Sequence, residues 1–155
     1  MVITEELYRL TDAFAHNNLE YAVCGGLAVA IHGRPRLTLD IDVVVSAKDV
    51  EKAIMIAASV GFDDPAGWIR LPPNNIGIDR LFRINKFENG EFLTLDILEA
   101  DESENTIFID RESVEIESRI IQLLSRAALI KMKSSSDRLK DQLDVELLGD
   151  KADER

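Results

Sequence analysis

The run Leu39-Asp40-Ile41-Asp42-Val43-Val44-Val45 limits the folds open to this chain more than any other stretch. An unbroken series of aliphatic and β-branched residues favours a strand buried on at least one face. Alternation then sends Leu39, Ile41, Val43 and Val45 toward a core. Asp40 and Asp42 point together to the opposite side, roughly 6.5–7 Å apart along the backbone. Carboxylates embedded in a core strand are costly to desolvate unless something cationic meets them.

A pair of glycines stands upstream. Gly25-Gly26 leaves a predicted strand at Tyr21–Cys24 and opens a predicted helix that runs to His32. Taken alone, two glycines before a helix need be no more than a tight turn. Their missing side chains, however, would let a phosphate approach the amides at the helix start, where the dipole also favours negative charge. Carboxylate oxygens are hard ligands suited to Mg²⁺, which takes one or two carboxylates and keeps substrate phosphates as further ligands. A phosphate-receiving turn beside two metal-binding acids is an arrangement suited to a nucleoside triphosphate. A third acid, Asp96, lies in Leu93-Thr94-Leu95-Asp96-Ile97-Leu98, the other strand-like segment with a carboxylate among aliphatics.

Around these motifs the pattern alternates between helix and strand. Ile3, Leu7, Leu10 and Phe14 recur at helical spacing over residues 3–16, and Asn17-Asn18 supplies a stop. The aspartate strand is predicted over Thr38–Val45 and a helix over Ala47–Val60, ended by Gly61. Asp63–Asn75 holds three of the four prolines and reads as an irregular loop. Strands at Leu81–Phe87 and Glu91–Leu98 flank Asn89-Gly90, the favoured type I′ hairpin dipeptide. In the second of these, Leu93, Leu95 and Ile97 share one face and leave Thr94 and Asp96 on the other. Short strands are expected around Thr106–Ile109 and Ser113–Glu117, and helices over Ser125–Ser135 and Asp137–Leu148. The pattern indicates one domain over residues 1–149 and a frayed tail at 150–155.

Composition narrows the partners. The 155 residues carry 18 Lys and Arg against 29 Asp and Glu, a net charge of −11, which argues against broad nucleic-acid binding. No apolar run approaches the roughly 20 residues of a membrane span, and the acidic start Met1–Glu6 does not resemble a signal peptide. The single cysteine, Cys24, cannot form an internal disulfide and reads as a small buried residue. The cytoplasm is the expected compartment. Two histidines and one cysteine give no basis for zinc, and His32, at a helix end before Gly33, reads as a capping or packing residue rather than a base.

Gly25-Gly26, His32-Gly33, Arg36-Leu37-Thr38 and Asp40-Ile41-Asp42 form a contiguous block. It resembles the signature of the DNA polymerase beta-like nucleotidyltransferase superfamily. The likeness is greatest to its minimal prokaryotic branch, which includes components of toxin–antitoxin and abortive-infection systems. A second block, with Lys133 followed by Arg138-Leu139-Lys140-Asp141 and Asp144, resembles the branch's helical carboxyl-terminal signature. Lys140 and Asp144 could equally be a surface pair one helical turn apart.

The resemblance implies an α/β (α+β) nucleotidyltransferase fold: a small mixed β-sheet bearing three acids, helices packed against it, and a helical C-terminus. It implies transfer of a nucleoside monophosphate from an NTP to a hydroxyl acceptor. Asp40, Asp42 and Asp96 would be the catalytic acids and would hold two Mg²⁺ ions, with Asp96 also able to accept the hydroxyl proton. Gly25, Gly26, Arg36 and Lys133 would bind the nucleotide. Arg36 could instead be an ordinary solvated arginine. The acceptor could be a partner toxin protein, a tRNA 3′ end (less favoured by the acidic charge) or a small hydroxylated molecule such as an aminoglycoside-like antibiotic. Recognition could be borrowed from a homodimer or a partner subunit. The alternative is a non-catalytic antitoxin-like module that neutralises a partner by contact.

Overall fold

The aspartate run forms a strand near the middle of a seven-stranded mixed sheet, in order β3-β4-β5-β2-β1-β7-β6. The fold is given by a computed structural model, which describes residues 1–32, 40–73, 75–101, 111–133, 145, 146, 148 and 149. In chain order the elements are α1 (Ile3–His16), β1 (Ala22–Cys24), α2 (Gly25–Ile31), β2 (Asp40–Ser46), α3 (Val50–Ser59), β3 (Asp64–Arg70), β4 (Arg80–Glu88), β5 (Glu91–Ala100), β6 (Glu112–Ile116), β7 (Arg119–Leu123) and α4 (Arg126–Lys133). A single 3₁₀ turn, Ala47–Asp49, leads into α3. The mixed sheet with helices packed on it is the α+β architecture expected from the sequence.

Strand β2 pairs antiparallel with β1 and parallel with β5. Its inward residues Ile41, Val43 and Val45 are fully buried, as are Leu95 and Ile97 of β5. Helices α1 and α3 lie over this face, because Lys86 of β4 meets Glu6 of α1 and the Val60 carbonyl that follows α3. Leu7, Leu10 and Phe14 of α1 are buried, which is the stripe predicted from its spacing. The helix expected over Ala47–Val60 is present as the 3₁₀ turn followed by α3. Gly61 comes next, with a φ of +100° that suits glycine. Ser125 caps α4 by accepting a hydrogen bond from the Ala128 amide at 3.1 Å.

Two segments depart from the expected pattern. The stretch expected as a loop over Asp63–Asn75 contains β3, which pairs antiparallel with β4 along Asp64–Arg70. Its proline is accommodated because β3 is the edge strand and the register shifts between Pro65 and Gly67. Trp68 then packs edge-on against Phe82, with ring centroids 5.3 Å apart, and the Arg80 guanidinium stacks 3.6 Å from the Trp68 ring centre. Strand β7 was not expected either. It follows β6 through Glu117 and Ser118, both at positive φ (48° and 68°), so the turn conformation exists without the usual glycine.

The strand expected at Thr106–Ile109 lies outside the described residues, as does most of the helix expected over Asp137–Leu148. No described helix is long and apolar enough to cross a membrane.

Candidate active site

Asp40 and Asp42 are half-buried on the sheet face turned away from α1 and α3, while Ile41 between them is fully buried. Pairing with β1 sets Cys24 opposite Asp42. The chain turns immediately after Cys24, and Gly25 takes up φ +66°. A Cβ on Gly25 would come within 2.2 Å of the Asp42 Oδ2 and 2.8 Å of its Cγ. The glycine is therefore required twice, by its backbone angle and by the carboxylate lying against it. Gly26 is buried in the first turn of α2. The turn expected to seat phosphate thus has a second and more immediate occupant, the Asp42 side chain.

Parallel pairing of β2 with β5 brings Asp96 into register with Asp42 and Thr94 with Asp40. Adjacent strands lie about 4.8 Å apart, so the three acids share one surface of the sheet. Asp96 is only 4% exposed. Its burial is compensated by Arg83, its cross-strand partner on β4. Arg83 donates from Nε to Asp96 Oδ1 at 2.8 Å and from Nη2 to Oδ2 at 3.0 Å, a bidentate fork. The Arg83 guanidinium is held above its ordinary pKa, chiefly by these hydrogen bonds. The negative charges of Asp96, Asp40 and Asp42 add to that effect, and burial opposes it. Beyond this pair, the Thr94 hydroxyl donates to Asn85 Oδ1 at 2.8 Å, so the same face carries an ordered polar row.

Arg83 was not singled out from the sequence, yet its position was recoverable. The Asn89-Gly90 turn pairs Glu88 with Glu91, and five further steps along each strand place Arg83 opposite Asp96. His32 is buried. Its Nε2 is 3.0 Å from the Leu124 carbonyl, a contact that ties the end of α2 to the segment following β7. That is the packing role expected of it. Lys133 is the last residue of α4. Its side chain and the whole of Arg36 lie outside the described residues, as do Arg138, Lys140, Asp141 and Asp144.

As a metal site, Asp40 and Asp42 fit well: two hard oxygen donors on one face suit Mg²⁺. Asp96 fits less directly, since both its oxygens accept hydrogen bonds from Arg83. Among the described residues, no three His, Cys, Asp or Glu side chains are grouped so that they could hold a metal ion.

No family model matches the sequence, and no curated protein matches it significantly. Solved structures do. The chain is similar to a Thermotoga maritima protein assigned as a nucleotidyltransferase, at TM-score 0.61 and 17% identity, covering 99% of this chain and 94% of that one. It is similar to ANT(2″)-Ia, solved in complex with adenylyl-2″-tobramycin, at TM-score 0.60 and 15% identity, over 96% of this chain and 90% of that one. A Helicobacter pylori protein assigned as a nucleotidyltransferase matches at TM-score 0.58 and 14% identity, over 95% of this chain and 66% of that one. The resemblance drawn from the glycine and aspartate motifs is therefore met by the architecture: this chain has the nucleotidyltransferase fold.

Proposed function

We propose that this chain is a Mg²⁺-dependent nucleotidyltransferase that moves a nucleoside monophosphate from an NTP to a hydroxyl acceptor. One observation carries this reading. Asp40 and Asp42 stand on one face, Asp42 against the Gly25 turn and in register with Asp96, within the nucleotidyltransferase fold. Asp40 and Asp42 would hold the metal, which when bound neutralises the triphosphate and lowers the pKa of an attacking hydroxyl.

The chain's own contribution is placement. Gly25 leaves room for the Asp42 carboxylate against the backbone. Strand pairing fixes the spacing of the acids. Positioning and charge neutralisation of this kind supply most of the rate in such transfers. Gly26, Arg36 and Lys133 complete the proposed nucleotide-binding set.

A protein partner, as in a toxin–antitoxin pair, is our preferred acceptor, and the net charge of −11 disfavours a tRNA end. A small cationic polyol is the second candidate, favoured by the similarity to ANT(2″)-Ia and its adenylylated aminoglycoside. The test is incubation of the pure protein with each labelled NTP, Mg²⁺, tobramycin or a lysate of its own cell. Label should move onto an acceptor with wild type and fail to move with Asp40→Ala/Asp42→Ala. Equal labelling by the double variant removes these residues from the site. No labelling, together with stable capture of a partner, replaces the enzyme with a contact-only binding module.

A further inference from the structure

A buried carboxylate next to two others needs a positive partner, and in this molecule that partner is protein. Asp96 is nearly inaccessible, at 4% exposure, and sits one strand away from Asp42. Uncompensated, it would face both desolvation and like-charge repulsion. Arg83 meets both oxygens of Asp96, at 2.8 and 3.0 Å, and lies within the electrostatic reach of Asp40 and Asp42. Its side chain is 39% exposed, so the guanidinium bridges the buried acid and the open surface. A planar guanidinium meets both carboxylate oxygens with two parallel hydrogen bonds, a fork geometry that an ammonium group does not match.

We infer that Arg83 is a positioning residue that occupies a cation's place among the three acids and competes with a divalent metal for Asp96. Asp40 and Asp42 then receive the first metal ion, and recruitment of Asp96 to a metal requires the Arg83 fork to open. This inference rests on the proposed metal role of Asp40 and Asp42, and it concerns metal binding rather than turnover.

The test is direct Mn²⁺ titration at pH 8, without nucleotide or acceptor, followed by electron paramagnetic resonance and calorimetry. Arg83→Gln should bind Mn²⁺ at least tenfold more tightly than wild type or gain a second ion. Mn²⁺ should also raise its melting temperature by more than it raises that of wild type. Arg83→Lys keeps the charge without the fork and should fall between the two; it decides the matter where Arg83→Gln folds poorly.

Arg80→Gln is the charge control. Arg80 lies on the same strand but pairs with Glu99, so its loss should leave Mn²⁺ affinity within twofold of wild type. Unchanged or weaker Mn²⁺ binding by Arg83→Gln and Arg83→Lys overturns the lock while leaving the transferase proposal standing. A tenfold gain in a protein that transfers no nucleotide upholds the lock and removes the transferase proposal. Absence of Mn²⁺ binding in every variant overturns the lock, while the transferase proposal is decided separately by the labelling experiment.

Discussion

Replacing Gly25 with alanine tests the closest contact in the candidate site. Two costs are separable. Gly25 has φ +66°, and holding an L-residue in that region costs about 1–2 kcal/mol. The new Cβ would also stand 2.2 Å from Asp42 Oδ2, 2.8 Å from Cγ and 3.0 Å from Cβ. Rotating the carboxylate away relieves the first two contacts but not the third, because the Asp42 Cβ is fixed to the strand. Relief therefore needs a backbone shift, and overpacking of this kind costs about 1–3 kcal/mol.

Gly25→Ala should lose about 3 kcal/mol of stability in urea unfolding. Gly90 provides the internal reference: its φ is +79°, and nothing lies within 4 Å of where a Cβ would be. Gly90→Ala should therefore lose only the backbone part, about 1 kcal/mol. In a double-mutant cycle, Gly25→Ala/Asp42→Gly should be about 1–2 kcal/mol more stable than the sum of the single losses predicts, since the Asp42 Cβ is gone with Oδ2 and Cγ. The proposed nucleotidyl transfer should fall by about 10²-fold in Gly25→Ala, the usual consequence of an ångström-scale displacement at a catalytic centre. Equal losses at Gly25 and Gly90, or strict additivity with Asp42→Gly, would refute the reasoning.

Two further perturbations probe the scaffold. Lys86 and Glu6 form a buried ion pair at 2.7 Å, with side chains 8% and 5% exposed, so Glu6→Ala should cost about 3–5 kcal/mol in chemical denaturation. Glu6→Leu/Lys86→Met should cost less than that single change, because no buried charge is left without a partner. At the β6–β7 turn, Glu117→Asn/Ser118→Gly supplies residues that favour the positive φ already present. It should raise stability by about 0.5–1 kcal/mol, read as a higher urea midpoint with an unchanged slope.

The sequence is most transparent where one local signal decides the outcome. Alternation in β2 and β5 was enough to put Asp40, Asp42 and Asp96 on strands with their faces assigned. Asn89-Gly90 was enough to define the β4–β5 hairpin. Legibility fails where the tertiary setting overrides local chemistry. Pro65 argues against a strand by itself, and only the edge position of β3 with its register shift makes the strand possible. Glu117 and Ser118 carry a turn that glycine would normally announce, so β7 passed unmarked. Arg83 shows a third case. Its identity is visible in the sequence, but its meaning depends on register, since only pairing across the hairpin sets it against Asp96.

That hairpin has a consequence for the order in which the molecule assembles. Arg83 and Asp96 belong to the same local unit, joined through a two-residue turn, and hairpins of this kind close in roughly microseconds. Asp42 and Asp96 meet only when β2 and β5 pair in parallel, across more than fifty intervening residues. The entropy of closing that long loop must be overcome before the pairing is rewarded, so it is the slower event. On this order, the third acid would meet the other two already paired with Arg83. Were it to arrive as a bare carboxylate, repulsion from Asp40 and Asp42 would oppose the very docking that builds the centre of the sheet. Arg83 thus lets the protein itself supply the positive charge that an acid-rich surface needs to fold.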